Sequence, residues 1–345
     1  MKMPTARGGA SAAVMATLLA PPGSTDVGPA AAEVDAALER CADLMRDEDL
    51  QVALLVLYEL HYQGLDGVDE RWEWDPDLLR LRARIEDLFE VTLRDLVRVP
   101  ADVGPRAEDV ADALFAAAAQ DTGPGLSAYV ARRATDQQLH ELLIHRSVYQ
   151  LKEADPHTWA IPRLSGVPKA ALVEVQADEY GGGDPERMHS ALFARTMRGL
   201  GLDDTYGVYV DLLPALTLAS VNMMSLFGLH RRLRGAIAGH LAAFEMTSSI
   251  PNRLYGNGFR RHGYSTDVTW YFDEHVEADA VHEQIAGRDL AGRLAEQEPG
   301  LHDDVLFGAA ACLHLDGLVG DWLVEHWQRD ETSLRTAPLA AEAVR

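Results

Sequence analysis

Apolar residues recur at three- and four-residue intervals along most of this chain, a spacing that gathers them on one stripe of an α-helix. Over residues 31–65 and 76–97 the stripe runs among many Arg, Asp and Glu, as in Leu78, Leu79, Leu81, Ile85, Leu88 and Phe89, and predicts amphipathic helices. Trp72 and Trp74 flank Glu73 at the Pro-containing turn between these stretches and are expected to pin the connection by packing. A helix is predicted over 126–153, stopped by Asp155-Pro156 because the residue before proline is pushed away from helical dihedrals. The next begins near Val167, carries Glu179 and meets Gly181-Gly182-Gly183-Asp184-Pro185. There Asp184 can cap, and Pro185 can open a new helical segment holding His189. Further helices are predicted over 212–227, 229–246, 259–295 with loops inside it, and 306–327. Alternating strand patterns are scarce, and β-branched runs such as 171–175 sit inside helical periods, so the expected fold class is all-α.

The first thirty residues are rich in Ala, Gly and Pro and read as a disordered leader, and residues 329–345 as a flexible tail. Between them the expected division is an N-terminal helical region over 31–125 and a core over 126–328. A formal net charge of −23 argues against a nucleic-acid partner or an anionic membrane, since both need a basic face. An uncharged or cationic small molecule is the easier guest. No stretch approaches the roughly 20 consecutive apolar residues of a membrane span. Cys41 and Cys312, far apart in helix-like sequence, offer neither a disulfide framework nor a thiolate metal site, which fits a reducing cytoplasm.

The segment His275-Val276-Glu277-Ala278-Asp279-Ala280-Val281-His282 changes the picture. Its two imidazoles and Asp279 are spaced four and seven residues apart, and at about 100° per residue they share one helix stripe. Imidazole with carboxylate is a ligand set for non-haem iron, and also for zinc or manganese. Upstream, Glu153, Glu179, His189 and Glu245 lie in helix-like, partly apolar surroundings, enough donors for a second metal. Glu245 follows Leu241-Ala242-Ala243-Phe244, so a carboxylate there needs a cation or a hydrogen-bonded partner. His275 follows Trp270-Tyr271-Phe272, an aromatic run suited to walling a dry cavity. The remaining histidines lack a partner set at ligand spacing, with His157 and His240 the candidates to support the ligands. Gly181-Gly182-Gly183 is not a phosphate loop, because no Lys-Ser/Thr follows it and no strand precedes it. Ser-His-Asp catalysis has no nucleophile-elbow sequence behind it.

Taken in order, Tyr149-Gln150-Leu151-Lys152-Glu153-Ala154-Asp155-Pro156-His157, Asp178-Glu179-Tyr180-Gly181-Gly182-Gly183 with His189, Phe244-Glu245 and the HVEADAVH segment resemble the haem-oxygenase-like diiron oxidase and oxygenase superfamily, and within it the group of iron-containing redox enzymes. The resemblance implies a haem-oxygenase-like helical bundle with an N-terminal helical extension that mediates dimerisation in nitrogen-oxygenating relatives. It also implies two Fe ions cycling between Fe2+ and Fe3+, with O2 as co-substrate. Carried over by position, Glu179, His189, Glu245, His275, Asp279 and His282 match the ligand positions, and Glu153 matches an additional carboxylate of the nitrogen-oxygenating relatives. Carboxylates can shift between binding modes as iron changes oxidation state, and imidazoles hold each ion in place.

The expected activity is therefore diiron oxygenation at nitrogen of a small amine or amino-acid-like molecule in specialised metabolism, by a homodimer drawing on an external electron donor. Arg146, Arg260 and Arg261 are the sequence candidates to hold a substrate carboxylate. Oxidative C–C cleavage or decarboxylation is the alternative on the same metal core. A metal-free hydrolase or ligand-binding module of the same fold, or an iron store, would be of another class. A haem role is disfavoured by the carboxylate-rich ligand set.

Overall fold

The structure, a computed structural model, describes residues 1–120 and 125–335, with the side chains of 277–280 outside the described set. Among the described residues there is no strand, and the chain folds as α-helices joined by short 3-10 turns. It divides into two compact units.

The first unit comprises Met1–Asp95 and Thr205–Asn222, with Leu334 and Arg335. It holds α1 (Gly9–Leu18), α2 (Gly28–Arg40), α3 (Glu48–Glu59) and nearly all of α4 (Pro76–Leu96). Residues 1–30 are thus not a disordered leader. Ala10, Val14 and Leu18 of α1 are fully buried, and the Met1 ammonium donates to the Gly64 carbonyl at 2.8 Å. The α1 N-terminus is closed by a residue remote in sequence: Asp49 accepts from the Ala10 and Ser11 amides at 2.9 and 2.7 Å. Ala-rich sequence without a local cap reads as weak helix, and tertiary contact supplies what is missing. Of the two turn aromatics Trp72 is the buried one, with its Nε1 donating to the Ala20 carbonyl at 2.9 Å. Trp74 is largely exposed.

The second unit comprises Leu96–Asp204 and Met223–Ser333. The expected boundary at 125/126 therefore shifts: α5 (Ala107–Gln120) belongs to this unit, and residues 205–222 to the first. The expected helix over 126–153 is two, α6 (Leu126–Arg132) and α7 (Asp136–Gln150). α7 restarts with a capping box in which Thr135 and Gln138 satisfy each other's amides. After α8 (Asp155–Thr158) come α9 (Gly166–Glu179), α10 (His189–Gly199), the part of α11 (Ala215–Leu229) from Met223 on, α12 (Arg234–Met246), α13 (Ser249–Arg261), α14 (Thr266–Gln284), α15 (Arg293–Gln297) and α16 (His302–Gln328). α14 continues into a π-helical stretch, Ile285–Gly292, a wider coil often found beside functional sites.

Glycine sets the closest helix crossing. A Cβ on Gly239 of α12 would strike the Val305 carbonyl of α16, and one on Gly308 of α16 would strike the Ala236 carbonyl of α12. The two backbones touch directly, fixing α12 and hence Glu245. Among the described residues, Pro299–Gln328 is the one helix long and apolar enough to cross a membrane, and half of that window is buried in the protein. The expected flexible tail is corrected at its start. Ser333 is fully buried because Glu141 accepts from its amide and hydroxyl at 2.9 and 2.7 Å. Residues 336–345 lie outside the described residues.

Candidate metal centre

Glu153 does not sit in a regular helix. It follows the end of α7, and Ala154 beside it takes φ 76°, the left-handed region that costs a residue with a Cβ. Gln176 Nε2 holds this bend by donating to the Ala154 carbonyl at 2.9 Å, and Tyr180 donates its hydroxyl to Asp155 at 2.8 Å. The turn directs the Glu153 carboxylate inward, 6% exposed.

Glu179 closes α9 and His189 opens α10. Between them Gly181, Gly182 and Gly183 all have positive φ, at 68°, 62° and 90°. At Gly181 the reason is twofold, because a Cβ would also come within 2.6 Å of the Met188 amide. This tight reversal returns the chain so that His189 Nδ1 stands 2.9 Å from Glu179 Oε2. The approach is close, but not along a hydrogen-bond direction, and Nδ1 is left without a hydrogen-bond partner.

On α14, His275 Nδ1 donates to the Tyr271 carbonyl at 2.7 Å, which turns Nε2 toward Glu153 Oε1 at 3.6 Å. Two turns on, His282 Nε2 donates to Asp178 at 3.0 Å. Its Nδ1 therefore faces Glu245 Oε2 at 3.5 Å and Glu179 Oε1 at 3.9 Å. An imidazole whose far nitrogen donates to a carbonyl or a carboxylate is the arrangement that orients a metal-binding histidine.

Two groups of donor atoms result, each within 4.8 Å of one another: Glu153, Glu179, His189 and His275 in one, and Glu179, Glu245 and His282 in the other. Glu179 belongs to both, and all six residues are buried. Asp279 lies on α14 between the two histidines, and its side chain is outside the described residues.

The electrostatics suit a cation. Burial works against a charged His189, but the Glu179 and Glu153 carboxylates together outweigh it and hold the ring above its ordinary value. Burial likewise opposes the charge on His282, and Glu245, Asp178 and Glu179 together overcome it, raising His282 to about 9. Burial, then Glu153, pushes the Tyr149 and Tyr271 phenols well up, so both stay neutral donors. The Tyr271 hydroxyl donates to Glu153 Oε1 at 2.9 Å.

Buried oxygens and nitrogens normally find hydrogen bonds. Here Glu153 Oε2, His189 Nδ1 and His282 Nδ1 have none, so each donor group offers atoms to a metal, which would displace the protons that the carboxylates favour on the two imidazoles. Oxygen and imidazole donors without thiolate fit Fe2+, as they fit Zn2+ or Mn2+.

Around this cluster lies a cavity of about 30 Å³. His157 lines it, held down at about 4 by burial, with Nε2 3.2 Å from His240 Nδ1. Arg146, Gln176 and Asn252 also line it, and neither Gln176 nor Asn252 stands out from its sequence context. Asp178 and Tyr271 were likewise missed as ligand supports. The signals were adjacency to Glu179 and a four-residue spacing to His275 on one helix face.

No curated protein matches the sequence. Residues 140–317, more than half of the chain and carrying all six converging donors, match a family described as iron-containing redox enzymes. The chain belongs to the iron-containing redox enzyme family.

Proposed function

We propose that this oxidoreductase is a non-haem diiron oxygenase that inserts oxygen at nitrogen of a small amine or amino-acid-like substrate. The supporting observation is Glu179, a carboxylate common to both donor groups, which would serve both ions of a pair. Glu153, His189 and His275 would hold one iron, and Glu245 and His282 the other, with Asp279 in sequence position to join the second group. When bound, the iron pair supplies the electrons and Lewis acidity that O2 reduction requires.

The protein's own part is orientation, charge and exclusion of water. Asp178 and the Tyr271 carbonyl fix which imidazole nitrogen of His282 and His275 faces inward. Tyr271 donates to Glu153 and fixes one of its oxygens. The cavity, about 30 Å³, has room for a few water-sized species. It admits an amine only as lining side chains such as Tyr149 and Phe244 move aside. Converting R–NH2 to R–NHOH with O2 consumes two electrons and two protons and releases one water, so the reading requires an external reductant.

The test is to load the metal-free protein with ferrous iron under anaerobic conditions, count the iron, then admit O2 with a panel of amines and amino acids. Two irons per chain, amine-dependent O2 uptake and a product heavier by one oxygen are expected. A single iron, or no O2 uptake across the panel, overturns the reading.

A further inference from the structure

The arginines near the candidate site in sequence have different fates. Arg260 is held by Asp273 and Thr269, and Arg261 donates to the carbonyls of Ala131, Val130 and Ala134. Both are committed to structure. Arg146 lines the cavity, with its guanidinium 4.5 Å from the centre of the Tyr255 ring. Burial opposes its charge, and the Tyr255 and Tyr271 phenols with the Asp316 and Glu153 carboxylates together favour it.

Asn252 is one helical turn before Tyr255 on α13 and shares its face. Its Nδ2 donates to Ser248 Oγ at 2.8 Å, while Oδ1, in a residue only 4% exposed and lining the same cavity, has no hydrogen bond. Gln176 Oε1 and His157 Nδ1, both buried in the cavity wall, are also without partners. Each such atom is costly unless something binds there. These three lie outside the donor groups that would hold metal.

We propose that this wall is the recognition half of the site and takes a small amino acid: Arg146 binds the substrate carboxylate, and Asn252 Oδ1 accepts from a substrate N–H. The claim rests on the oxygenase reading only in placing the substrate nitrogen toward the carboxylates and histidines. A planar guanidinium over an aromatic ring is suited to grip a carboxylate through two parallel hydrogen bonds. A zwitterion is also net neutral, so the −23 charge of the chain does not repel it.

Titration calorimetry of the ferrous protein under anaerobic conditions tests this with paired probes: L-ornithine against 1,4-diaminobutane, and L-leucine against 3-methylbutylamine. In wild type at least one amino acid is expected to bind tenfold or more tightly than its carboxylate-free partner. Arg146→Gln should abolish that preference, Arg146→Lys should keep part of it, and Asn252→Leu should weaken amino acid and amine alike. Thermal melts of each variant check that it is folded. A wild type that binds no probe, that shows no preference, or whose preference survives Arg146→Gln overturns the proposal. Oxygen uptake run in parallel separates the two readings. Carboxylate-dependent binding without O2 uptake counts against the oxygenase and not the subsite, whereas O2 uptake with amines that ignores Arg146→Gln does the reverse.

Discussion

His189 Nδ1 lies 2.9 Å from Glu179 Oε2, although the two residues belong to different helices joined by three consecutive glycines with positive φ. The carboxylate at one end of this reversal is the one shared by both donor groups. The geometry of the donor group therefore depends on a connection that itself carries no chemistry.

Glu179→Ala should lower iron uptake at both positions, whereas Glu245→Ala or His282→Ala should remove one iron and leave the Glu153, His189 and His275 group able to bind. Iron per chain after anaerobic loading, read by a colorimetric chelator, checks this. Equal losses in all three variants would contradict a shared carboxylate.

The glycine reversal makes a positional prediction. Gly182→Ala meets open space and suffers only from its φ, about 1 kcal/mol of stability. Gly181→Ala adds a 2.6 Å approach to the Met188 amide, so it must displace the backbone that carries His189. Gly181→Ala should therefore lose metal as well as stability, while Gly182→Ala should bind metal normally, as melting curves and iron content would show.

At the crossing of α12 and α16 the obstacle is backbone on both sides. Gly239→Ala or Gly308→Ala should cost more than about 3 kcal/mol, in the range of severe core disruption. Denaturant unfolding would reveal it, and a wild-type midpoint would refute the close contact.

Burial holds His145 at about 4, where its Nε2 meets Ser333 Oγ at 3.1 Å. A histidine depressed in the folded state is protonated first in the unfolded chain. Its stabilising share is complete above about pH 6.5 and is lost as pH falls toward 4, by about 3 kcal/mol at full extent. Unfolding midpoints should fall across that window, and less steeply in His145→Gln. An unchanged slope in that variant would exclude His145 as a source.

Much of this was legible in the chain because helical periodicity is local. The apolar stripes located α4, α9, α12 and α16, and the four- and seven-residue spacings put His275, Asp279 and His282 on one helix before any coordinates. The candidate donor at Glu245 was also legible, since a carboxylate within an apolar helix demands compensation wherever that helix packs. What the sequence could not show was set by contacts between residues distant along it. α1 became helix through Asp49, and Glu153 entered the site from a left-handed bend held by Gln176. Arg146, not Arg260 or Arg261, faced the cavity because the other two found partners elsewhere. Sequence fixes which groups a helix can present, through a period of a few residues. Which groups share a cavity depends on how separate helices cross, and that is decided by packing across the whole unit.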